Sequence, residues 1–139
     1  MDKPKNVDVN VFIYWLGSHP LYGEKSHRWI RKIEEASSRE YVTSSLTVYE
    51  TLIILAGLTG KNLRDKEFVR EIIKAFERLE GLAIEPLKRE DIVPATELME
   101  KYQLNYEDAL HLATVFKARA ITVISNDKDW ERTPIPRTF

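Results

Sequence analysis

Apolar residues fall along this chain in two patterns, short unbroken blocks and longer amphipathic runs, and the two alternate. The clearest block is Ala120–Ile124 (A-I-T-V-I), without the polar alternation of a half-exposed strand. It predicts a strand buried on both faces, as in a parallel sheet. Lys5–Val9, Tyr41–Thr43 and Leu82–Ile84 predict three more strands, the last closed by Pro86. Asn10–Leu16 reads as an aromatic-rich turn of helix. In Glu24–Ser38, Trp29, Ile30 and Ile33 fall at helical spacing against Arg28, Arg31, Lys32, Glu34 and Glu35. Ser44 or Ser45 is placed to cap a helix running to Gly57–Gly60, and Asp65 to cap one with a stripe of Phe68, Val69, Ile72, Ile73, Phe76 and Leu79. A single helix is expected from Arg89 to Tyr102 with Pro94 in its first turn or so, and another from Asn105 to Arg119. The tail, Arg132–Phe139, holds two prolines and is expected to add a short edge strand. Strands separated by helix pairs predict an α/β fold with a mainly parallel sheet covered on both faces.

Composition narrows the classes. The 139 residues are the size of one domain, and 43% hydrophobic residues suffice for a core. There is no cysteine, which excludes disulfides, thiolate metal sites and a cysteine nucleophile. The opening M-D-K-P-K lacks an apolar leader, and the longest apolar stretch, around Leu52–Leu58, is far short of the roughly 20 residues that span a bilayer. A soluble, cytoplasmic protein without membrane contact is therefore expected. The formal net charge of −1 argues neither for nor against a nucleic-acid partner, because setting aside several carboxylates as metal ligands leaves a mildly basic remainder.

In open α/β sheets, ligands bind beyond the carboxyl ends of the strands. Ala120–Ile124 runs straight into S-N-D-K-D, so Asp127 and Asp129, with the neutral oxygens of Ser125 and Asn126, are candidates there. Asp127, nearer the strand, is expected to be the ligand and Asp129 to hold the turn or an outer contact. Asp8 ends the first strand, where it could equally cap the next helix, as could Asn10. Glu50 is the only charged residue between Tyr41 and Gly60. Its burial requires a cation, either a metal or an Arg or Lys from elsewhere. Asp108 borders the stripe of Ala109, Leu112, Ala113 and Phe116, and as the third residue after Asn105 it could complete a capping box. Four carboxylates without cysteine or paired histidine form an oxygen-only set, suited to Mg²⁺ or Mn²⁺. His19, His27 and His111 have no metal spacing; His111, one turn after Asp108, could approach the site but reads first as a surface or packing histidine.

Four segments together resemble the PIN-domain nucleases, and within them the VapC-type ribonuclease toxins of toxin–antitoxin modules. V-D-V-N-V-F-I-Y-W-L is similar to the opening motif (Asp8, Asn10), S-S-L-T-V-Y-E-T-L to the second (Glu50), N-Y-E-D-A-L-H-L-A-T-V to the third (Asp108) and V-I-S-N-D-K-D-W to the fourth (Asp127, with Asp129 accessory). Val9 departs from the pattern, where the family often has threonine. The resemblance implies one PIN-like domain over residues 1–139, an α/β/α sandwich with a sheet of four or five strands. It also implies catalysis and Mg²⁺ or Mn²⁺ binding by Asp8, Glu50, Asp108 and Asp127, with Asn10, Ser125 and Asp129 as accessories. The implied partners are an RNA substrate, a second copy in a homodimer and a small antitoxin. Glu50 would ligate directly, act through water, or position the nucleophile, and either one or two ions would be held. The alternative is a PIN-like metal- or RNA-binding regulatory module without turnover. A receiver domain would need adjacent acids after the first strand, and a dinucleotide-binding domain would need G-x-G-x-x-G; neither is present.

Overall fold

The structure, a computed structural model, describes residues 3–139. Its elements run β1 (Lys5–Val7), α1 (Val9–Leu16), α2 (Gly23–Glu34), β2 (Tyr41–Ser44), α3 (Ser45–Thr59), α4 (Lys66–Glu77), β3 (Leu82–Glu85), α5 (Arg89–Ile92), α6 (Ala95–Tyr102), α7 (Tyr106–Ala118), β4 (Thr122–Ile124), a 3₁₀ turn (Lys128–Arg132) and β5 (Arg137–Thr138). The strands form one sheet in the order β3-β2-β1-β4-β5, parallel at every pairing. From β1 the chain builds outward to β2 and β3 on one side, then returns to lay β4 and β5 on the other. The strand order therefore reverses between β1 and β4, the position at which open parallel sheets place a ligand crevice.

Side-chain alternation along the strands divides the core. Val7, Tyr41 and Ile124 face one layer, where Val11 and Phe12 of α1, Ile30 and Ile33 of α2, Leu55 of α3 and Ile72 and Phe76 of α4 pack. Their neighbours Val42 and Val123 face the other, against Leu112 and Val115 of α7, Leu104 and Trp130. The result is an α/β/α sandwich. No described helix is long and apolar enough to cross a membrane.

Capping accounts for most of the helix starts. Asp8, Ser44, Asp65 and Asn105 each accept a backbone N–H in the first turn of the helix that follows, as their residue types favour. Gly60, at φ 70, ends α3 in the left-handed region. The helix expected over Arg89–Tyr102 is instead two helices, α5 and α6, divided at Pro94. Proline has no N–H, so the bond to the carbonyl four residues back cannot form. The first strand stops at Val7, two residues earlier than expected, because Asp8 is already the cap of α1. Phe116 and Ile121, expected inside, are 39% and 49% exposed. Leu112 has no exposed surface. Leu112→Ala should therefore cost about 2–5 kcal/mol, as cavity-forming core truncations do, read as a lower midpoint in urea unfolding.

Candidate active site

Asp8 stands at the reversal point and is saturated with donors. Its backbone N–H donates to the Ile124 carbonyl (3.0 Å), continuing the β1–β4 ladder past the end of β1. Oδ1 accepts from the Val9 N–H (2.8 Å). Oδ2 accepts from Ser125 Oγ (2.6 Å), Trp130 Nε1 (3.0 Å) and Asn10 Nδ2 (3.2 Å). Side-chain donors of this kind fix a carboxylate's rotamer and keep it aimed.

Ser125 joins the two strand ends. While its hydroxyl donates to Asp8, Oγ accepts from Asn10 Nδ2 (2.9 Å) and the Asp127 N–H (3.0 Å). Its backbone is gripped from the far side by β5, through Thr138 O (2.9 Å) and Arg137 Nη1 (3.1 Å). Asn10 Oδ1 accepts from the Asn126 N–H (3.1 Å), and the Asn126 side chain reaches the Tyr14 hydroxyl (3.2 Å). Asn10 and Ser125 thus bind the first and fourth segments into one network. Trp130 anchors the loop in the core beneath α7 while its indole N–H holds Asp8.

Asp127 caps the 3₁₀ turn by accepting the Asp129 N–H at Oδ1 (2.9 Å). Asp108 donates its backbone N–H to Asn105 Oδ1 (2.8 Å), but the reciprocal bond of a capping box is not made among the described residues. Its carboxylate is thereby free to face the other acids. Partial burial and the charges of Asp127 and Asp8, with a smaller push from Asp129, hold the Asp108 carboxyl above the ordinary carboxylate range, against a pull from His111. Asp129 is half-exposed and lies 3.8 Å from Arg132. Asp108, Asp127 and Asp129 line a recess of about 10 Å³, closed by Leu104, Trp130 and Thr133. Its size is that of a single water.

Glu50 is not among the residues that line this recess. Its counter-charge is His111, which sequence reasoning read as surface or packing: Nε2 is 2.6 Å from Oε1, and both residues are buried. Burial pulls the His111 pKa down, but the bond and charge of Glu50, with Asp8 and Asp108 nearby, outweigh it and raise it. The signal was available, since position 111 follows Asp108 by three residues and shares its helix face. Of the other histidines, His27 is exposed, and His19 accepts the Leu21 and Tyr22 N–H groups in the α1–α2 turn. Tyr14 also entered the network, without a sequence signal, through the Asn126 side chain.

The residues present fit a hard divalent cation. The aspartates offer oxygen only, partial burial and then their mutual repulsion raise Asp108, and Glu50 Oε2 is buried without a hydrogen-bond partner among the described residues. Glu50, Glu107 and His111 also bring ligand-type atoms within 4.8 Å of one another, although His111 is engaged with Glu50 there.

A family model for the PIN domain matches residues 6–136. The chain belongs to the PIN domain family. No curated protein sequence matches it. Among solved structures, this PIN domain is similar to VapC20 of Mycobacterium tuberculosis, a toxin that cleaves the sarcin–ricin loop, at 15% identity and TM-score 0.73 over 94% of this chain and 95% of that one. It is also similar to a chain of a toxin–antitoxin complex from Klebsiella pneumoniae, at 18% identity and TM-score 0.67 over 97% and 96%. A third, in FitAB bound to a DNA fragment, aligns at 16% identity and TM-score 0.70 over 96% and 93%. At these identities the likeness is one of fold.

The raised Asp108 pKa has a measurable sign. The folded carboxyl keeps its proton to higher pH than the unfolded one, so in chelator the Asp108 contribution to stability falls as pH rises above the ordinary carboxylate value. Asp108→Asn should therefore raise Tm at pH 7 in chelator and leave it unchanged at low pH. Mg²⁺ should raise the wild-type Tm more than that of the variant, a difference readable by calorimetry.

Proposed function

We propose that this chain, as one PIN-like domain over residues 1–139, is a Mg²⁺- or Mn²⁺-dependent endoribonuclease, the toxin of a type II toxin–antitoxin module. The observation carrying this reading is the convergence of Asp8, Asp108 and Asp127 near the β1–β4 reversal point, where partial burial together with the charges of Asp127 and Asp8 raises the Asp108 pKa. Fold likeness to toxin chains and the family match support it.

Asp8, Asp108 and Asp127 would hold the cation, with Asp129 at the rim. A bound Mg²⁺ or Mn²⁺ lowers the pKa of an attacking water and neutralises charge on a scissile phosphate. Asp8 is held by its donors in one orientation, so little is lost in ordering it. Asp108 supplies the carboxylate whose charge is least satisfied by the protein and gains most from a cation. Glu50 Oε2 is the spare acceptor that can hold a water proton. Asn10 and Ser125 keep the strand ends in register, and the apolar wall of Leu104 and Trp130 restricts water beside Asp108.

The test is cleavage of an RNA pool by the purified chain with Mg²⁺ or Mn²⁺ and a chelator control. Asp108→Asn is the diagnostic variant, since Asp8 also carries structural hydrogen bonds. It should lower kcat by on the order of 10²-fold or more, comparable to losing a preorganised electrostatic group. Wild-type turnover in the variant would overturn the assignment. Metal binding without any cleavage would favour the regulatory-module reading.

For partners, the reading includes a homodimer and an antitoxin. Supporting the first, α3 leaves Tyr49 (54%), Ile53 (45%), Ile54 (39%) and Leu58 (68%) exposed on a helix with no charged residue but Glu50. Several exposed apolar side chains on one uncharged helix suit an interaction site. Leu58→Glu should shift the mass measured by light scattering from dimer to monomer without lowering Tm.

A further inference from the structure

Glu50 is bound through one oxygen only. His111 takes Oε1 at 2.6 Å, while Oε2 is buried with no partner among the described residues. An unpaired buried acceptor costs free energy, and in a native fold it calls for an explanation. The two residues come from different helices: Glu50 sits in the buried first half of α3, and His111 one turn beyond Asp108 on α7. Their bond therefore ties the second acidic segment to the third.

We propose that His111 is a positioning residue, clamping Glu50 by Oε1 so that Oε2 alone remains available to the water or cation held by the aspartates. This rests on the ribonuclease reading above and deepens it.

A glutamate has several rotamers open to it, and beside a cation it can lean in with one oxygen, straddle with both, or turn away. The imidazole removes the last two options by occupying Oε1. Glu50 is thus a restrained, single-oxygen acceptor. Packing alone does not account for His111. Its neighbours Leu110 and Leu112 show that the helix accepts leucine inside, but leucine at position 111 would leave both Glu50 oxygens unpaired.

The experiment measures Mn²⁺ binding without RNA, by the spectroscopic signal of free Mn²⁺, alongside thermal unfolding and RNA kinetics. The proteins are wild type, His111→Leu, His111→Gln, His111→Asn, Glu50→Gln and the His111→Leu/Glu50→Gln double variant. His111→Leu should weaken Mn²⁺ binding about 10–100-fold, the usual effect of removing a residue that orients a ligand. It should lower kcat with KM for RNA unchanged. His111→Gln, whose amide can still donate to Oε1, should recover most of the loss, and His111→Asn, too short to reach, should not. The double variant should bind Mn²⁺ no more weakly than Glu50→Gln alone. If His111→Leu does not fold, the Gln and Asn variants make the same comparison in a polar background.

A lowered Tm with unchanged Mn²⁺ affinity, or additive losses in the double variant, would overturn the proposal, as would absence of Mn²⁺ binding by the wild type. The two readings separate cleanly. RNA cleavage with no effect of His111 on Mn²⁺ refutes the clamp and keeps the ribonuclease. The predicted Mn²⁺ pattern without any cleavage keeps the clamp and refutes the ribonuclease.

Discussion

The structure depends on one carboxylate being held in place before any ligand arrives. Asp8 takes four hydrogen bonds from Val9, Asn10, Ser125 and Trp130 at the point where the strand order turns back on itself. Those bonds set the register between the ends of β1 and β4, start α1, and fasten the Trp130 loop beneath α7. Remove the carboxylate and each donor must find another acceptor in a largely dry setting, at a cost of roughly 1–3 kcal/mol for each that fails. Asp8 is accordingly both scaffold and candidate ligand, and substitutions there confound the two roles.

The other acids divide the electrostatic work differently. Asp108 and Asp127 line one recess with less compensation, and partial burial together with their repulsion raises the pKa of Asp108. Glu50 carries its own counter-charge in His111. The site thus combines a saturated carboxylate, a less compensated pair and one bound through a single oxygen. A divalent cation would relieve the pair and the free Oε2 of Glu50, whereas the protein has already met the needs of Asp8.

Much of this was legible in the sequence, for identifiable reasons. Buried parallel strands are apolar runs, and Ala120–Ile124 stops at polar residues, so the place of Ser125 and Asp127 at a strand end could be read directly. Capping chemistry located Asp8, Ser44, Asp65 and Asn105 at helix starts. The isolation of Glu50 in an uncharged stretch announced that something must meet it. That this something is His111 was hinted at only by its place one turn after Asp108, because the bond itself spans 61 residues and depends on how α3 sits against α7. The Asn126–Tyr14 contact, at a separation of 112 residues, is of the same kind. The division of Arg89–Tyr102 at Pro94 was a local matter. Proline is tolerated early in a helix and disruptive a little later, and a boundary shift of a few residues decides between the two.

The distances along the chain carry a consequence for biosynthesis. Asp8 is synthesised well before Ser125 and Trp130, which orient it and lie 117 and 122 residues further on. At the usual pace of about 5–20 residues per second, several seconds separate their synthesis. Throughout that interval β1 has no β4 beside it, and the acids remain scattered along an incomplete chain. An unfinished copy therefore lacks the assembled acidic crevice, which forms only when the fourth strand docks. The same parallel topology that creates the crevice thus acts as a timer on it.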